Sequence, residues 1–338
     1  MKQYILIPLL IIGIFVVARP ERAEALVLPS ADSGFAVTYG DFYSYSLPIL
    51  QDFLGSDYNI LSNSGHIKND VVIATGVSGT DVNLNFTDMD NAYPTPGGTG
   101  SSDTFDTGTT ADPAPALDND RADSWDSTIA SLVNFLGGQS PIFLFNNNQT
   151  NSDDSIDQNL WIWAQVEIWS SAGTANSQYF ELTSTNGDGS GTFGGNPYDY
   201  EAHAYDNPSF TPSTPDTMPT DYVLSGGNVC LDGGGAPVDC GSSEVVYGPY
   251  SHNLGSDRAA YAVVAPELND LLADWDGDSP YDMLSIKIKM SALNAGGEQA
   301  YILPGTVQTT TVVPEPSTWL LMGLGLLCLP LVRRFRRG

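Results

Sequence analysis

Hydrophobic and polar residues alternate with a period of two along residues 160–170. Leu160, Ile162, Ala164, Val166 and Ile168 fall on one face and Trp161, Trp163, Gln165, Glu167 and Trp169 on the other. Successive side chains of an extended chain point to opposite sides, so the segment is a strand with at least one buried face. Residues 283–293 repeat the pattern: Leu284, Ile286, Ile288, Met290 and Ala292 turn inward, and Ser285, Lys287, Lys289 and Ser291 turn to solvent, as in a one-sided antiparallel strand. Runs of Val, Ile, Phe, Tyr and Thr predict further strands at 35–39, 70–77, 82–87, 141–146, 178–184, 221–231, 244–250 and 258–264, with 301–307 as an added edge.

Three segments have helical spacing instead. Ser46 to Gly55 carries a serine cap, a proline in its first turn and a terminal glycine. Ser124 to Gly138 brings Trp125, Ile129, Leu132, Val133 and Leu136 to one side and stops at a glycine pair. Pro266 to Trp275 aligns Leu268, Leu271, Leu272 and Trp275 behind an acidic first turn. Many short strands and few short helices predict a mainly β protein, an antiparallel β-sandwich of jelly-roll-like type. The stretches 91–120 and 186–219, rich in Pro, Gly, Ser, Thr and Asp, read as long exposed loops. No repeat of fixed period is present, which argues against a solenoid or propeller.

The two ends follow other rules. Lys2, an apolar core from Tyr4 to Val17 and the small residues Ala23 and Ala25 around Glu24 form a secretory signal peptide over residues 1–25, cleaved before Leu26. At the other end Trp319 to Val332 is uncharged and is followed by Arg333, Arg334, Arg336 and Arg337. Pro316 to Val332 is 17 residues, at the lower limit of the roughly 17–25 needed to cross a bilayer as a hydrophobic helix. The arginines hold the cytoplasmic side, so the domain before them faces outward. Pro314, Glu315 and Pro316 precede this helix and cannot enter a regular helix or central strand, which keeps them extended and readable.

This order of Val-Pro-Glu-Pro-Ser-Thr, a Leu/Gly-rich apolar helix and a basic end closely resembles the PEP-CTERM sorting signal of Gram-negative bacteria. The resemblance covers residues 314–338 and implies handling by an exosortase, a membrane-embedded cysteine transpeptidase, with Pro314, Glu315 and Pro316 as the recognition element. It also implies a setting of exopolysaccharide production and biofilm at the cell surface or in the extracellular matrix. The helix resembles a removable sorting signal, holding the protein to the membrane before processing. Upstream, residues 26–306 form an exported β-rich region, with material for one large sandwich or two smaller domains, and 307–313 a short tether.

Charge narrows the partners. From Leu26 to Val313 only Lys68, Arg121, Arg258, Lys287 and Lys289 are basic, against 37 carboxylates. Such a surface repels nucleic acid and attracts divalent cations or basic partners. Cys230 and Cys240 lie in the exported part, where oxidising conditions favour a disulfide across their glycine-rich loop.

Candidate chemistry is sparse. Asp274, Asp276 and Asp278 alternate as a calcium-binding turn requires, but Ser279 and Ser285 stand where an EF-hand has Gly and Glu, which leaves a solvated turn as the other reading. A second acidic turn, Asn186 to Gly191, has Pro197 at the twelfth position. Glu201 and His203 would share a face if extended. Trp161, Trp163 and Trp169 either stack on sugar rings from an exposed face or pack under a second layer. Nucleophile elbow, H-E-x-x-H and Walker lysine motifs do not occur. The sequence therefore predicts a non-catalytic, exported surface or matrix protein of an exopolysaccharide layer. The alternative is a carbohydrate-binding module or glycoside hydrolase acting on that polysaccharide, and calcium is compatible with either.

Overall fold

An apolar strand face such as that of Ile162, Ala164, Val166 and Ile168 is stable only against another apolar layer, and a second sheet supplies it. The computed structural model describes residues 25–63, 65–76, 82–97, 103–114, 117, 120–148, 160–183, 223–224, 228–293 and 296–309. In chain order the strands are β1 (Leu26–Leu28), β2 (Ala36–Tyr39), β3 (Phe42–Ser46), β4 (Val71–Thr75), β5 (Tyr93–Pro94), β6 (Asp103–Asp106), β7 (Trp125–Thr128) and β8 (Ser140–Asn147). They continue as β9 (Trp161–Trp169), β10 (Gln178–Leu182), β11 (Val223–Leu224), β12 (Asn228–Leu231), β13 (Pro237–Val238), β14 (Tyr247–Ser251), β15 (Gly255–Val264), β16 (Met283–Leu293) and β17 (Gln299–Val307). The α-helices are α1 (Leu47–Leu54), α2 (Ile129–Leu136) and α3 (Pro266–Ala273).

The first sheet runs β2-β3-β15-β8-β17-β4-β5, with β1 alongside β17. The second runs β10-β9-β16-β6, with β11 beside β9 and β7 beside β16. A small third sheet, β13-β12-β14, stands apart. Pairing is antiparallel except β1 with β17 and β4 with β5. Among the described residues the protein is thus mainly β, with two largely antiparallel sheets face to face and three short α-helices.

One core lies between the two sheets. Phe143, Phe145, Val263 and Ile302 from the first meet Ile162, Val166, Leu284, Ile286 and Ile288 from the second, and Ile129, Leu132, Leu268 and Leu272 of α2 and α3 join them. Each such side chain contributes about 1.5–3 kcal/mol on burial. The other face of the first sheet is also apolar: Tyr45, Val72, Ile142, Leu144, Val264 and Tyr301 pack with Leu47 and Leu50 of α1. Helix α1 starts where the Ser46 side chain accepts from Ile49 N and stops at Gly55. At Gly305 the chains approach so closely that a Cβ would lie 2.6 Å from the Leu26 carbonyl oxygen.

Several elements depart from the sequence reading. Residues 82–87 form turns, because the Asn83 side chain takes over the edge of β4: its Oδ1 accepts from Val72 N and its Nδ2 donates to Val72 O and Asp90 O. Trp125 lies in β7, not a helix, since pairing with β16 claims 125–128 and Thr128 caps α2. Strand β17 sits inside the first sheet between β8 and β4, with Tyr301 and Ile302 sealed, so it is not an edge. Its Pro304 stands opposite Pro141 of β8. The stretch 91–120 is not simply an exposed loop, for it contains β5, β6 and the buried Tyr93 and Phe105. Ser285 and Ser291 are buried and Lys287 and Lys289 are half-buried, so β16 does not turn this face to open solvent.

The predicted signal peptide, through residue 24, and the sorting segment 314–338 lie outside the described residues. Among the described residues no helix is long and apolar enough to cross a membrane. The sandwich reaches past residue 306, with Gln308 N donating to Leu28 O.

Candidate functional site

The outer face of the second sheet carries a connected row of buried polar side chains. In register across it stand Tyr179 of β10, Glu167 of β9, Ser285 of β16 and Asp126 of β7. Directly opposed residues share a face, which turns four separated segments into one polar row. Arg121 donates to Glu167 at 2.7 Å and lies 4.7 Å above the Trp169 ring. The Tyr179 hydroxyl donates to Glu167 at 3.0 Å. Trp169 Nε1 donates to Ser285 Oγ at 2.7 Å, and Ser285 in turn donates to Asp126. In the neighbouring row Trp163 Nε1 donates to Glu181 at 2.8 Å. Lys287 and Lys289 reach Asp123 and Asp106 in the excursion between β5 and β7. Glu167, Gln165, Asp126 and Ser285 are all buried, and a buried polar group is tolerated only when paired in this way.

At the end of the row lies an aspartate cluster. Asp90 Oδ1 accepts from Leu117 N at 2.7 Å and its Oδ2 from Asp126 N at 2.6 Å. Asp126 accepts from Ser124 and Ser285. One oxygen from each of Asp90, Asp112 and Asp120 lies within 4.8 Å of the others. Burial pushes Asp90 up to about 7 and Asp126 up to about 8, with repulsion between neighbouring carboxylates adding to it. Asp112 is raised for the same reasons. Tyr93 donates to Asp112 and to the Ser124 carbonyl oxygen. Such oxygens could hold a hard divalent cation or share protons.

A cavity of about 370 Å³ opens where the β2-β3 edge of the first sheet and the β10 and β11 strands of the second meet the small third sheet. Ser46 and His252 stand in its wall, Oγ to Nε2 at 2.7 Å, and the His252 ring stacks on Tyr261 at 4.7 Å. The third sheet is tied by the Cys230–Cys240 disulfide, with Cα atoms 5.1 Å apart, and the Tyr250 hydroxyl bonds it to Asp52 of α1 at 2.6 Å.

Comparison with known families gives two matches. Residues 26–289 match a family described as a domain of unknown function (DUF8239). The chain belongs to the DUF8239 family. Residues 312–337 match the PEP-CTERM protein-sorting motif, which contains Pro314, Glu315 and Pro316. The DUF8239 domain is therefore carried by an exported protein, a substrate of an exosortase sorted to the surface of a Gram-negative bacterium. No curated protein and no solved structure matches the chain. The family match begins at residue 26, where β1 also begins, and ends inside β16, so the interior strand β17 lies beyond it.

The residues singled out in the sequence fall in different places. Trp161 and Trp163 of the DUF8239 domain are sealed at 3% and 0% exposure and Trp169 is half-buried under Arg121, so the row is no open platform for sugar rings. Asp274, Asp276 and Asp278 are exposed and do not converge. Asp276 Oδ1 accepts from Asp278 N, which closes a local turn. Asn186 to Gly191, Glu201 and His203 lie outside the described residues. Sequence reasoning missed Asp90, Asp112, Asp120 and Asp126, hidden among many carboxylates, and the Ser46–His252 pair, separated by 206 positions. The signal that existed was the cluster of Asp around Tyr93 and Trp125.

Proposed function

We propose that this protein is a non-catalytic component of an extracellular polysaccharide layer. Its carboxylates serve folding on the outer face of the second sheet, and its acidic surface contributes to the charge of the matrix. The observation that carries the reading is the joining of a PEP-CTERM motif to a sandwich whose buried carboxylates on this face accept from neighbouring side-chain donors. Glu167 is held by Arg121 and Tyr179, Glu181 accepts from Trp163, and Asp126 accepts from two serines. A glycosidase needs two carboxyl groups open to the sugar. The buried Trp161 and Trp163 remove the main support for the carbohydrate-binding alternative.

The test is to delete residues 314–338 and follow the protein and the polysaccharide fraction of the producing cells. Release of the protein from the surface, together with loss of co-sedimentation with the polysaccharide, is expected. Retention equal to wild type would overturn the proposal, as would hydrolysis of the purified polysaccharide by the intact chain.

A further inference from the structure

We propose that the cavity between the sandwich and the disulfide-bonded sheet binds a neutral, largely hydrocarbon ligand, an alkyl chain ending in a hydroxyl group, whose polar end meets Ser46 and His252. The inference is independent of the polysaccharide reading. A volume of about 370 Å³ falls within the roughly 300–1,000 Å³ of small-molecule sites.

The character of the wall selects the ligand. The chain holds 40 acidic residues, yet none of the described lining residues is Asp, Glu, Lys or Arg. Ile49, Phe145, Ile162, Leu182, Val229 and Val263 supply an apolar interior. Burial pushes the Tyr39 hydroxyl in the wall up to about 12, so it stays neutral. An anionic ligand would meet no Lys or Arg among these residues and would lose its hydration.

The mouth is apolar as well. Val37, Phe53 and Tyr247 line it and remain 41%, 40% and 37% exposed, with Leu54 and Val246 next to them in sequence. Phe53 packs 5.9 Å from Phe35 and 5.1 Å from Tyr247, ring centre to ring centre. Few soluble surfaces leave adjoining aromatic and aliphatic side chains exposed around an opening without a binding role.

One polar pair interrupts this wall. Ser46 Oγ accepts from Ile49 N and bonds His252 Nε2. With the proton on Nε2, Ser46 accepts from both and keeps its own O–H to donate to a ligand oxygen; with the other tautomer the histidine accepts that proton. A ligand with one hydroxyl suits both arrangements, whereas an extended sugar chain would bring many hydroxyl groups against hydrocarbon.

The test uses the full chain and the neutral fluorescent probe N-phenyl-1-naphthylamine, displaced by 1-decanol or by decanoate. Saturable probe binding is expected, with 1-decanol displacing it at concentrations at least tenfold lower than decanoate. Val37→Trp, at an exposed edge-strand position, should block the mouth and weaken the probe tenfold or more with an unchanged circular-dichroism spectrum. Should that variant misfold, Val229→Phe inside the wall provides the same reading. His252→Phe retains a ring against Tyr261 but removes the partner that orients the Ser46 hydroxyl toward the ligand, and should weaken 1-decanol about five- to tenfold, the scale of one hydrogen bond, while leaving the probe unchanged. Equal probe binding by wild type and folded blocking variants overturns the site. Equal displacement by decanol and decanoate overturns the neutral-ligand assignment, and undiminished decanol binding by His252→Phe overturns the polar anchor.

Discussion

On the outer face of the first sheet Ile142, Leu144 and Val264 pack with Leu47 and Leu50 of α1, and burial of hydrocarbon alone holds these side chains. On the outer face of the second, Glu167, Asp126 and Ser285 are just as deeply buried, yet they are held by directed bonds to Arg121, Tyr179, Trp169 and Ser124. Both faces are sealed, and the difference lies in how they fail. Hydrocarbon packing loses stability gradually and is nearly indifferent to pH, whereas a buried polar layer depends on each partner and on protonation.

The sharpest comparison sets Trp163→Ala against Leu144→Ala. Leu144→Ala should cost about 2–5 kcal/mol by cavity formation. Trp163→Ala should cost about 3–5 kcal/mol from volume alone, and about 1–3 kcal/mol more for removing the indole donor to Glu181. Urea unfolding measures both, and a Trp163 cost no larger than that of Leu144 would erase the distinction.

A second, smaller effect is pH dependence. Asp126 and Asp90 have folded values of about 8 and about 7, above the ordinary carboxylate range, so the folded state holds protons that the unfolded chain has released. Their contribution is complete below about pH 4 and is lost as pH rises through about 7 to 8. Asp70 and Glu298, beside β4 and β17 of the first sheet, are each raised to about 7 by burial and add to the same slope. The informative quantity is therefore a difference between variants. Asp126→Asn, which mimics the protonated acid toward Ser124 and Ser285, should flatten the fall in Tm between pH 6 and 9, and Leu144→Ala should leave its slope at the wild-type value.

The smallest expected effect belongs to Lys289, whose ammonium group meets Asp106 at 2.9 Å with both side chains partly exposed. Lys289→Met keeps the stem against the sheet and should change stability by at most about 1 kcal/mol, in a salt-dependent manner. A larger loss, insensitive to salt, would mean that the rim of the polar layer is as dry as its centre.

Much of this was legible in the residues themselves. Period-two alternation placed β9 and β16, and Ser46, Pro48 and Gly55 placed α1 almost to the residue, because caps and alternation are local rules written in neighbouring positions. The Pro-Glu-Pro tail likewise carries its meaning in a short contiguous stretch, and it established export and sorting without any fold.

Tertiary structure decided what covers each face. Nothing near Trp161 or Trp163 announces whether the outer side of β9 meets solvent, since the Arg121, Asp123 and Asp106 groups that meet this sheet come from a stretch that looks like an exposed loop. Local composition predicted a helix at Trp125, and pairing with β16 made it a strand. The aspartate cluster and the Ser46–His252 pair exist only because segments separated in sequence are folded against one another. Local propensity is worth tenths of a kcal/mol per residue, whereas cross-strand pairing and burial contribute several at each buried site, so local sequence marks many of the elements while long-range packing settles the contested ones and assigns their faces.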